Sequence, residues 1–407
     1  MLWGIDVKMQ NTDITIVGAG SAGLTLALLL APLNLNIVVL EQGKAPDIGP
    51  VSYQRVSALN LASKRLLSHL GAWPAIAKTA AAYQDMQVWD SDSFAKIAFN
   101  AQTEQVEALG WICDNEHIRQ ALYQQLKNHS NVSLQFNCVI NSLVQSDREV
   151  LINFNQQQLL LSRLVVGADG INSLVRKAAQ LPQMHSHYNQ HALVATIKTE
   201  LPHQATARQV FLPGGPLALL PLPDANLCSI VWSIPSADVP AKLALAENEF
   251  NQALSAASQS ILGVLSLQSP VRNFELQMRY ASQWLEQRIV LVADAAHSVH
   301  PLAGQGMNLG LMDVAALAQL IEQQLQAGKD ITELRMLRQY ERWRKAEALN
   351  LIAAMEAFNR TFSNKNPLLK FVRAIGMNTV DKAPWLKKQI MAAALGNSGD
   401  LPELAKP

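Results

Sequence analysis

The chain has little cysteine. Cys113, Cys138 and Cys228 are the three in 407 residues, far apart and with no CxxC pair. Such spacing offers neither a disulfide framework nor a metal-thiolate set, and reads as reduced core residues of a cytosolic protein. Net charge is also small, at +1. No long-range field therefore points to nucleic acid. Uninterrupted apolar runs stay below the roughly 18 residues that a membrane-spanning helix needs. The first eleven residues lack the apolar run of a signal peptide. Met9 can serve as the start as well as Met1, with Met1 to Lys8 as an extension. Internal repeats and low-complexity tracts are missing too. The remainder is 49% hydrophobic, enough for a large core in a chain that can hold about two or three domains.

Two glycine-bearing stretches carry the chemistry. Asp13 to Val17 has strand content and runs into Gly18-Ala19-Gly20-Ser21-Ala22-Gly23, then an apolar helix through Leu30. Asn36 to Glu41 is a second strand ending in an acid. This is the dinucleotide fingerprint in context. Gly18 permits the tight turn, Gly20 lets backbone meet a pyrophosphate, and Gly23 lets helix and strand pack closely. Ser21 and Ala22 open the helix beneath the phosphates. Glu41, 18 residues past Gly23, can accept from adenosine ribose hydroxyls. The fingerprint alone does not separate NAD from FAD.

The second stretch begins with the strand-like Arg288 to Ala293. Asp294 stands at its carboxyl end, where open α/β sheets bind ligands. A polar loop, a turn with Pro301, Gly304 and Gly306, and an Ala-rich helix through Ile321 follow. The helix start favours negative charge. A reduced flavin wants both features, since its ribityl hydroxyls can donate to Asp294 and its N1–C2=O edge carries charge. A fingerprint at the N-terminus, with this partner about 270 residues later, favours FAD.

The run His300 to Asp313, H-P-L-A-G-Q-G-M-N-L-G-L-M-D, resembles the signature of the ubiquinone-biosynthesis hydroxylases. These are a branch of the FAD-dependent aromatic-ring monooxygenases. A third stretch, Gly167-Ala168-Asp169-Gly170 with Ser173 and Arg176, is similar to that family's G-A-D-G-x-x-S-x-x-R motif. The likeness runs from Ile14 to about Gly396. Ala293 departs from it, since many relatives outside this branch have Gly there; the extra methyl is expected to be tolerated. His300 beside Pro301 is a second departure.

The resemblance implies an α/β fold. A Rossmann-like, para-hydroxybenzoate hydroxylase-like FAD-binding domain would take residues 11–73, 106–182 and 283–345. An inserted antiparallel β-sheet substrate domain would take 74–105 and 183–282, and a C-terminal helical region 346–407. It also implies tightly, non-covalently bound FAD, NAD(P)H as a transient co-substrate, and O2. Arg55 would reach the flavin and Arg119 the FAD phosphates; the plain readings are an exposed helix-start arginine and a solvated helix face. Asp169 would close on FAD, a role compatible with simply holding its turn. Pro301, Gly304, Gln305, Gly306 and Met307 would surround the flavin ring, with Asn308 beside the cofactor. The implied reaction passes one oxygen from a C4a-hydroperoxyflavin to the ring of a polyprenylated phenol or benzoquinol.

Strand-like runs between Gln183 and Tyr280, with help from Tyr83 to Phe99, would roof the substrate pocket. His187 and His191 could act on a phenol proton or be lone surface histidines. Phe211, Leu220 and Trp232 read as core. Near the C-terminus, Arg335, Arg338, Arg342, Arg344 and Lys345 read as a solvated basic face. Lys365 to Ile390 is basic, apolar and carries Trp385. It suits either an anionic membrane surface or a docked helix. The resemblance adds the expectations of a cytoplasmic protein peripheral on the inner membrane, a homodimer, and contact with other ubiquinone-biosynthesis enzymes. Two rival functions remain open. One is a reductase or dehydrogenase on the same scaffold, or a hydroxylase of a non-prenylated aromatic. The other is a prenyl-lipid carrier without chemistry.

Overall fold

The structure is a computed structural model. It describes residues 9–46, 49, 52–93, 95–156, 158–298, 305–363 and 383–407, without the side chains of 358–363, 384 and 386.

The first sheet is built on parallel strands in the order Val132–Gln135, Ile37–Leu40, Met9–Val17, Gln158–Gly167 and Ile289–Leu291. Each central strand is a near-continuous apolar run because helices cover both faces. Ile37–Leu40 is buried at every position. Helix Ser21–Leu30 is apolar nearly all round and packs against helices Asn115–Leu126 and Gln305–Gln326. The latter is buried from Asn308 to Ile321 except at Gln319, so it is the central helix of the molecule. The hairpin Ile140–Gln145 with Val150–Phe154 joins this sheet through Gln158–Gly167.

A larger mixed sheet has the strand order His297–Ser298, Arg272–Ala281, Gln183–Thr199, Leu227–Pro235, Gly215–Pro221, Thr206–Leu212, Asp85–Asp90 and Lys96–Asn100. The expected strands are present, but the sheet is not wholly antiparallel. Asp85–Asp90 lies parallel to Thr206–Leu212, because the two enter from separate passes of the chain and no hairpin joins them. One face, with Leu193, Val210, Leu219, Ile230 and Trp232, packs under Phe250 and Leu254 of helix Glu247–Ala257. Trp232 is thus core. Phe211 packs with Ala95 and Val88, and Leu220 packs against Leu222, Ala81 and Ile112.

A small third sheet, Val56–Leu59, Gly110–Asp114 and Ala81–Tyr83, bridges the two. The C-terminal helices are Leu334–Ser363 and Pro384–Ala394. Arg335, Arg338 and Arg342 are exposed and Lys345 is half-buried. Arg344 corrects the expected solvated face, being only 2% exposed, because a buried carboxylate pairs with it. Most of the basic stretch after Lys365 lies outside the described residues, although Trp385 is described and is exposed. Among the described residues no helix is long and apolar enough to cross a membrane.

Candidate active site

The dinucleotide turn divides its glycines by task. A Cβ on Gly18 (φ +107°) would lie 2.4 Å from the Ala168 carbonyl oxygen, and one on Gly23 would lie 2.0 Å from the Gly18 oxygen. Both therefore serve close packing. A Cβ on Gly20 would meet nothing within 4 Å, so its backbone faces outward. Gly20 caps helix Ser21–Leu30, which has no side-chain cap and no acid in its first turn. Ser21 and Ala22 supply the exposed amide end that attracts an anion.

Glu41 is partly committed to the protein. Its carboxylate accepts from Ala19 N at 2.6 Å and Gly43 N at 2.7 Å. Each oxygen keeps a second acceptor direction. Arg119 is not a free surface arginine. Its Nε donates to the Ala19 carbonyl at 2.8 Å and its Nη2 to that of Lys44 at 2.9 Å. One guanidinium thus ties the phosphate turn to the loop after Glu41, with Glu116 on its outer side.

Asp169 supplements the Ser173 cap of helix Leu174–Ala178 by accepting from Leu174 N and Val175 N through Oδ2, at 2.7 and 3.1 Å. Its Oδ1 is buried without a partner among the described residues. Further along the same motif, Arg176 donates to the Ala295 carbonyl at 2.9 Å. That bond links the third motif directly to the Asp294 turn.

Asp294 lies in the short 3-10 turn Ala293–Ala295. Its side chain is exposed at the surface, with protein atoms crowded around the carboxyl. Loss of bulk water pushes its carboxyl above the usual range, opposed by His297 and Arg55 and assisted by Asp313. Its carboxylate accepts no hydrogen bond among the described residues. Arg55, itself exposed, is near enough for its charge to act on Asp294. Ala293 adopts φ +51°, a conformation that a Cβ disfavours. The methyl at this departure is thus not a neutral addition.

Gln305, Gly306 and Met307 form the first turn of helix Gln305–Gln326. Its first turn holds no acid, and a Cβ on Gly306 would meet nothing within 4 Å. Asn308 spends its side-chain amide within the protein. Its Oδ1 accepts from Asn60 N and Ser63 Oγ at 3.1 and 2.7 Å, while Nδ2 donates to the Ala58 carbonyl at 2.8 Å and to Gln305 Oε1 at 3.4 Å. The amide has no capacity left for a cofactor, so Asn308 locks the central helix onto helix Leu61–His69. Pro301, Gly304 and His300 lie outside the described residues.

His187 is exposed and paired with Glu275 at 2.7 Å, which favours the surface-histidine reading. Three buried residues, His297 and Asp313 with no role assigned from sequence and Arg344 expected in solvent, stand behind the Asp294 turn. Asp313 accepts from His297 Nε2 at 2.5 Å, Arg344 Nε at 2.8 Å and Ala293 N at 3.1 Å. The D-x-x-H start and the terminal Asp of the motif were visible signals; Arg344, 31 residues later, had none.

The residues present fit a flavin dinucleotide. Outward Gly20 at the uncapped start of helix Ser21–Leu30, the acid-free first turn of helix Gln305–Gln326, the orphaned Asp169 Oδ1 and the Asp294 carboxylate, which accepts no hydrogen bond among the described residues, are four polar features of the kinds such a ligand satisfies. Among the described residues there is no cluster of metal-ligating type.

Comparison with known proteins agrees. The chain is 34% identical over 385 residues to the ubiquinone hydroxylase UbiL of Rhodospirillum rubrum, covering 94% of this chain and 89% of that protein. It is 33% identical over 393 residues to the 3-demethoxyubiquinol 3-hydroxylase of Escherichia coli, covering 95% and 99%. In fold it resembles the crystal structure of p-nitrophenol 4-monooxygenase PnpA from Pseudomonas putida, with a TM-score of 0.79 at 18% identity over 96% of this chain and 99% of that one. The family model for the FAD binding domain matches residues 11–354, and the chain belongs to that family.

Proposed function

We propose that the protein is an FAD-dependent monooxygenase that hydroxylates the aromatic ring of a polyprenylated phenol or benzoquinol in ubiquinone biosynthesis, using NAD(P)H and O2. The observation that carries this reading is full-length similarity to proteins named for that reaction, joined to a site whose unmet groups suit a flavin. We assign residues 11–73, 106–182 and 283–345 to the cofactor unit, 74–105 and 183–282 to the substrate unit and 346–407 to the C-terminal helical region.

Bound FAD supplies the redox and oxygen-activating chemistry. The chain's own residues bind, orient and shield. The Gly18–Gly23 turn and the start of helix Ser21–Leu30 take the pyrophosphate. Glu41 accepts from the adenosine ribose, and Arg119 holds the turn in shape. Asp294, ionised, accepts from ribityl hydroxyls. The first turn at Gln305, Gly306 and Met307, with Pro301 and Gly304 before it, stabilises negative charge at the pyrimidine edge. The apolar sheet above keeps water away from reactive groups. This division needs no catalytic triad, metal or carboxylate pair.

For the greasy substrate, the exposed Trp385 beside Lys388 favours peripheral membrane contact. A homodimer and contact with other enzymes of the same biosynthesis belong to the same reading.

The test starts with the visible spectrum of the purified protein. NADPH and O2 consumption follow, with and without a prenylated phenol. NADPH oxidation that rises with the phenol, and product carrying one oxygen from labelled O2, are expected. Turnover without oxygen incorporation would replace the hydroxylase by a reductase. A colourless protein that cannot be reconstituted with FAD would end both readings.

A further inference from the structure

The turn bearing Asp294 is tied at both ends to one atom. Asp313 Oδ2 accepts from Ala293 N, just before Asp294, and from His297 Nε2, three residues after it. The other oxygen, Oδ1, accepts from Arg344 Nε. Asp313 is 0% exposed, and His297 and Arg344 are each 2% exposed. None of the three can touch a ligand in the site. The imidazole is held on its other side by Trp284, with ring centroids 5.0 Å apart. Trp284 in turn packs against Tyr340, whose hydroxyl donates to the Leu291 carbonyl at the end of the strand that leads into the turn.

The position of Asp313 in the sequence gives this arrangement its consequence. Asp313 belongs to helix Gln305–Gln326, about two turns or ~12 Å along the axis from its start. One rigid element therefore carries, at its N-terminus, the amides facing the cofactor and, two turns later, the carboxylate that staples the Asp294 turn. We propose that His297, Asp313 and Arg344 are positioning residues that set the distance and orientation between Asp294 and the start of helix Gln305–Gln326. Cofactor affinity and flavin potential then depend on them although they do not contact the flavin. The inference rests on the flavin reading of Asp294 given above.

The chemistry of the cluster is consistent with a permanent anion. Burial alone would push the Asp313 carboxyl up. The adjoining His297 and Arg344, with their hydrogen bonds, more than offset this and hold it below the usual range. A fixed charge with three donors has one preferred geometry, whereas a neutral hydroxyl would rotate. The left-handed φ of Ala293 is a strained state that persists only where surroundings over-determine it. The bond from Ala293 N to Asp313 is one such determinant.

The test uses the full chain stripped of FAD and titrated with FAD by fluorescence quenching, followed by midpoint-potential measurement on the reloaded enzyme. Variants are His297→Leu, His297→Gln, the double Asp313→Leu/Arg344→Met, and Asp294→Ala as reference. The glutamine places an N–H near the position of Nε2, and the double variant leaves no buried charge unpaired. His297→Leu and the double variant should raise the FAD Kd about tenfold or more, the worth of a hydrogen bond to a charged group, and shift the potential. His297→Gln should stay within about threefold by retaining that bond. A wild-type Kd and potential in His297→Leu or the double variant, whatever the melting temperature, overturns the proposal. If Asp294→Ala loses FAD while these variants keep it, only the positioning role fails. Full FAD affinity in Asp294→Ala means that the flavin role of Asp294, on which the proposal rests, has failed.

Discussion

Ala293 and Gly310 compete for the space of one methyl group. A Cβ on Gly310 would lie 2.8 Å from the Ala293 Cβ and 3.5 Å from its Cα, and Ala293 already sits at φ +51°. The central helix passes this close to the Asp294 turn only because position 310 has no side chain. Gly310→Ala should destabilise the protein by about 1–3 kcal/mol, the usual range for overpacking, and weaken FAD binding by displacing the turn. Gly310→Ala/Ala293→Gly removes the opposing methyl and relieves the left-handed strain, so most of the loss should return. Urea unfolding of the FAD-free protein gives the double-mutant cycle. Strict additivity would show that the two positions do not compete.

FAD affinity should depend on pH through Asp294. Its carboxyl is raised in the folded protein by desolvation. Between the unfolded and the raised folded pKa, the native state binds more protons. The FAD-free protein therefore loses stability from this group as pH rises through that window and regains it as pH falls. Cofactor binding runs the opposite way, because the ribityl hydroxyls need an ionised acceptor. FAD Kd should rise as pH drops from neutral through the raised pKa, and Asp294→Asn should flatten the profile. An unchanged pH profile in Asp294→Asn would assign the dependence to another group.

Asp313 titrates with the opposite sign. A carboxyl held below its ordinary value contributes stability that is present above the unfolded pKa, about 4. It is lost only as pH falls through the still lower folded value. Arg344→Ala should weaken this and leave the buried carboxylate with only His297 Nε2 and Ala293 N as partners, at a cost of up to about 3–5 kcal/mol. The acid limb of the stability curve should then begin at higher pH. A midpoint and acid limb like those of the wild type would contradict the buried pairing.

Arg119→Met should loosen the phosphate turn and leave the fold intact. The side chain's two carbonyl contacts, Ala19 and Lys44, join loops that are each anchored elsewhere. Expected are a melting temperature close to wild type without FAD and a Kd for FAD raised about tenfold, from loss of charged hydrogen bonds. Equal losses in stability and affinity would instead make Arg119 a general structural clamp.

Asp169→Ala combines two losses. The helix-start acceptor at Oδ2 costs about 1 kcal/mol when removed, and the orphaned Oδ1 is lost to the cofactor. Asp169→Ser should recover the stability by capping and leave FAD affinity low. If the serine variant recovers both, Asp169 is a cap and nothing more.

Local pattern was enough for the elements and for the ligand class. Gly18 in the tight turn, with its positive φ, and Gly23 at the close approach of helix and strand were legible because both roles follow from the local strand-turn-helix path. Asp85–Asp90 showed itself as a strand, but its parallel partner Thr206–Leu212 depends on two distant passes of the chain. The same limit explains Asn308 and Arg344. One sits inside the flavin-like motif, yet spends its amide on Asn60, Ser63, Ala58 and Gln305. The other sits among exposed arginines, yet is buried on Asp313.

By itself, then, the sequence determined an α/β chain with an inserted sheet, a dinucleotide turn, an acid at a strand end and a helix start of the kind that suits a reduced flavin. Short-range periodicity and turn chemistry encode those features. Only the tertiary structure decided which polar groups remain for the ligand and which are consumed by the protein. Hydrogen-bond capacity is finite, and its allocation follows from which helices and strands meet. Asp294 and Asp313 show the outcome: two carboxylates of one motif, one left open and one closed behind it by His297 and Arg344.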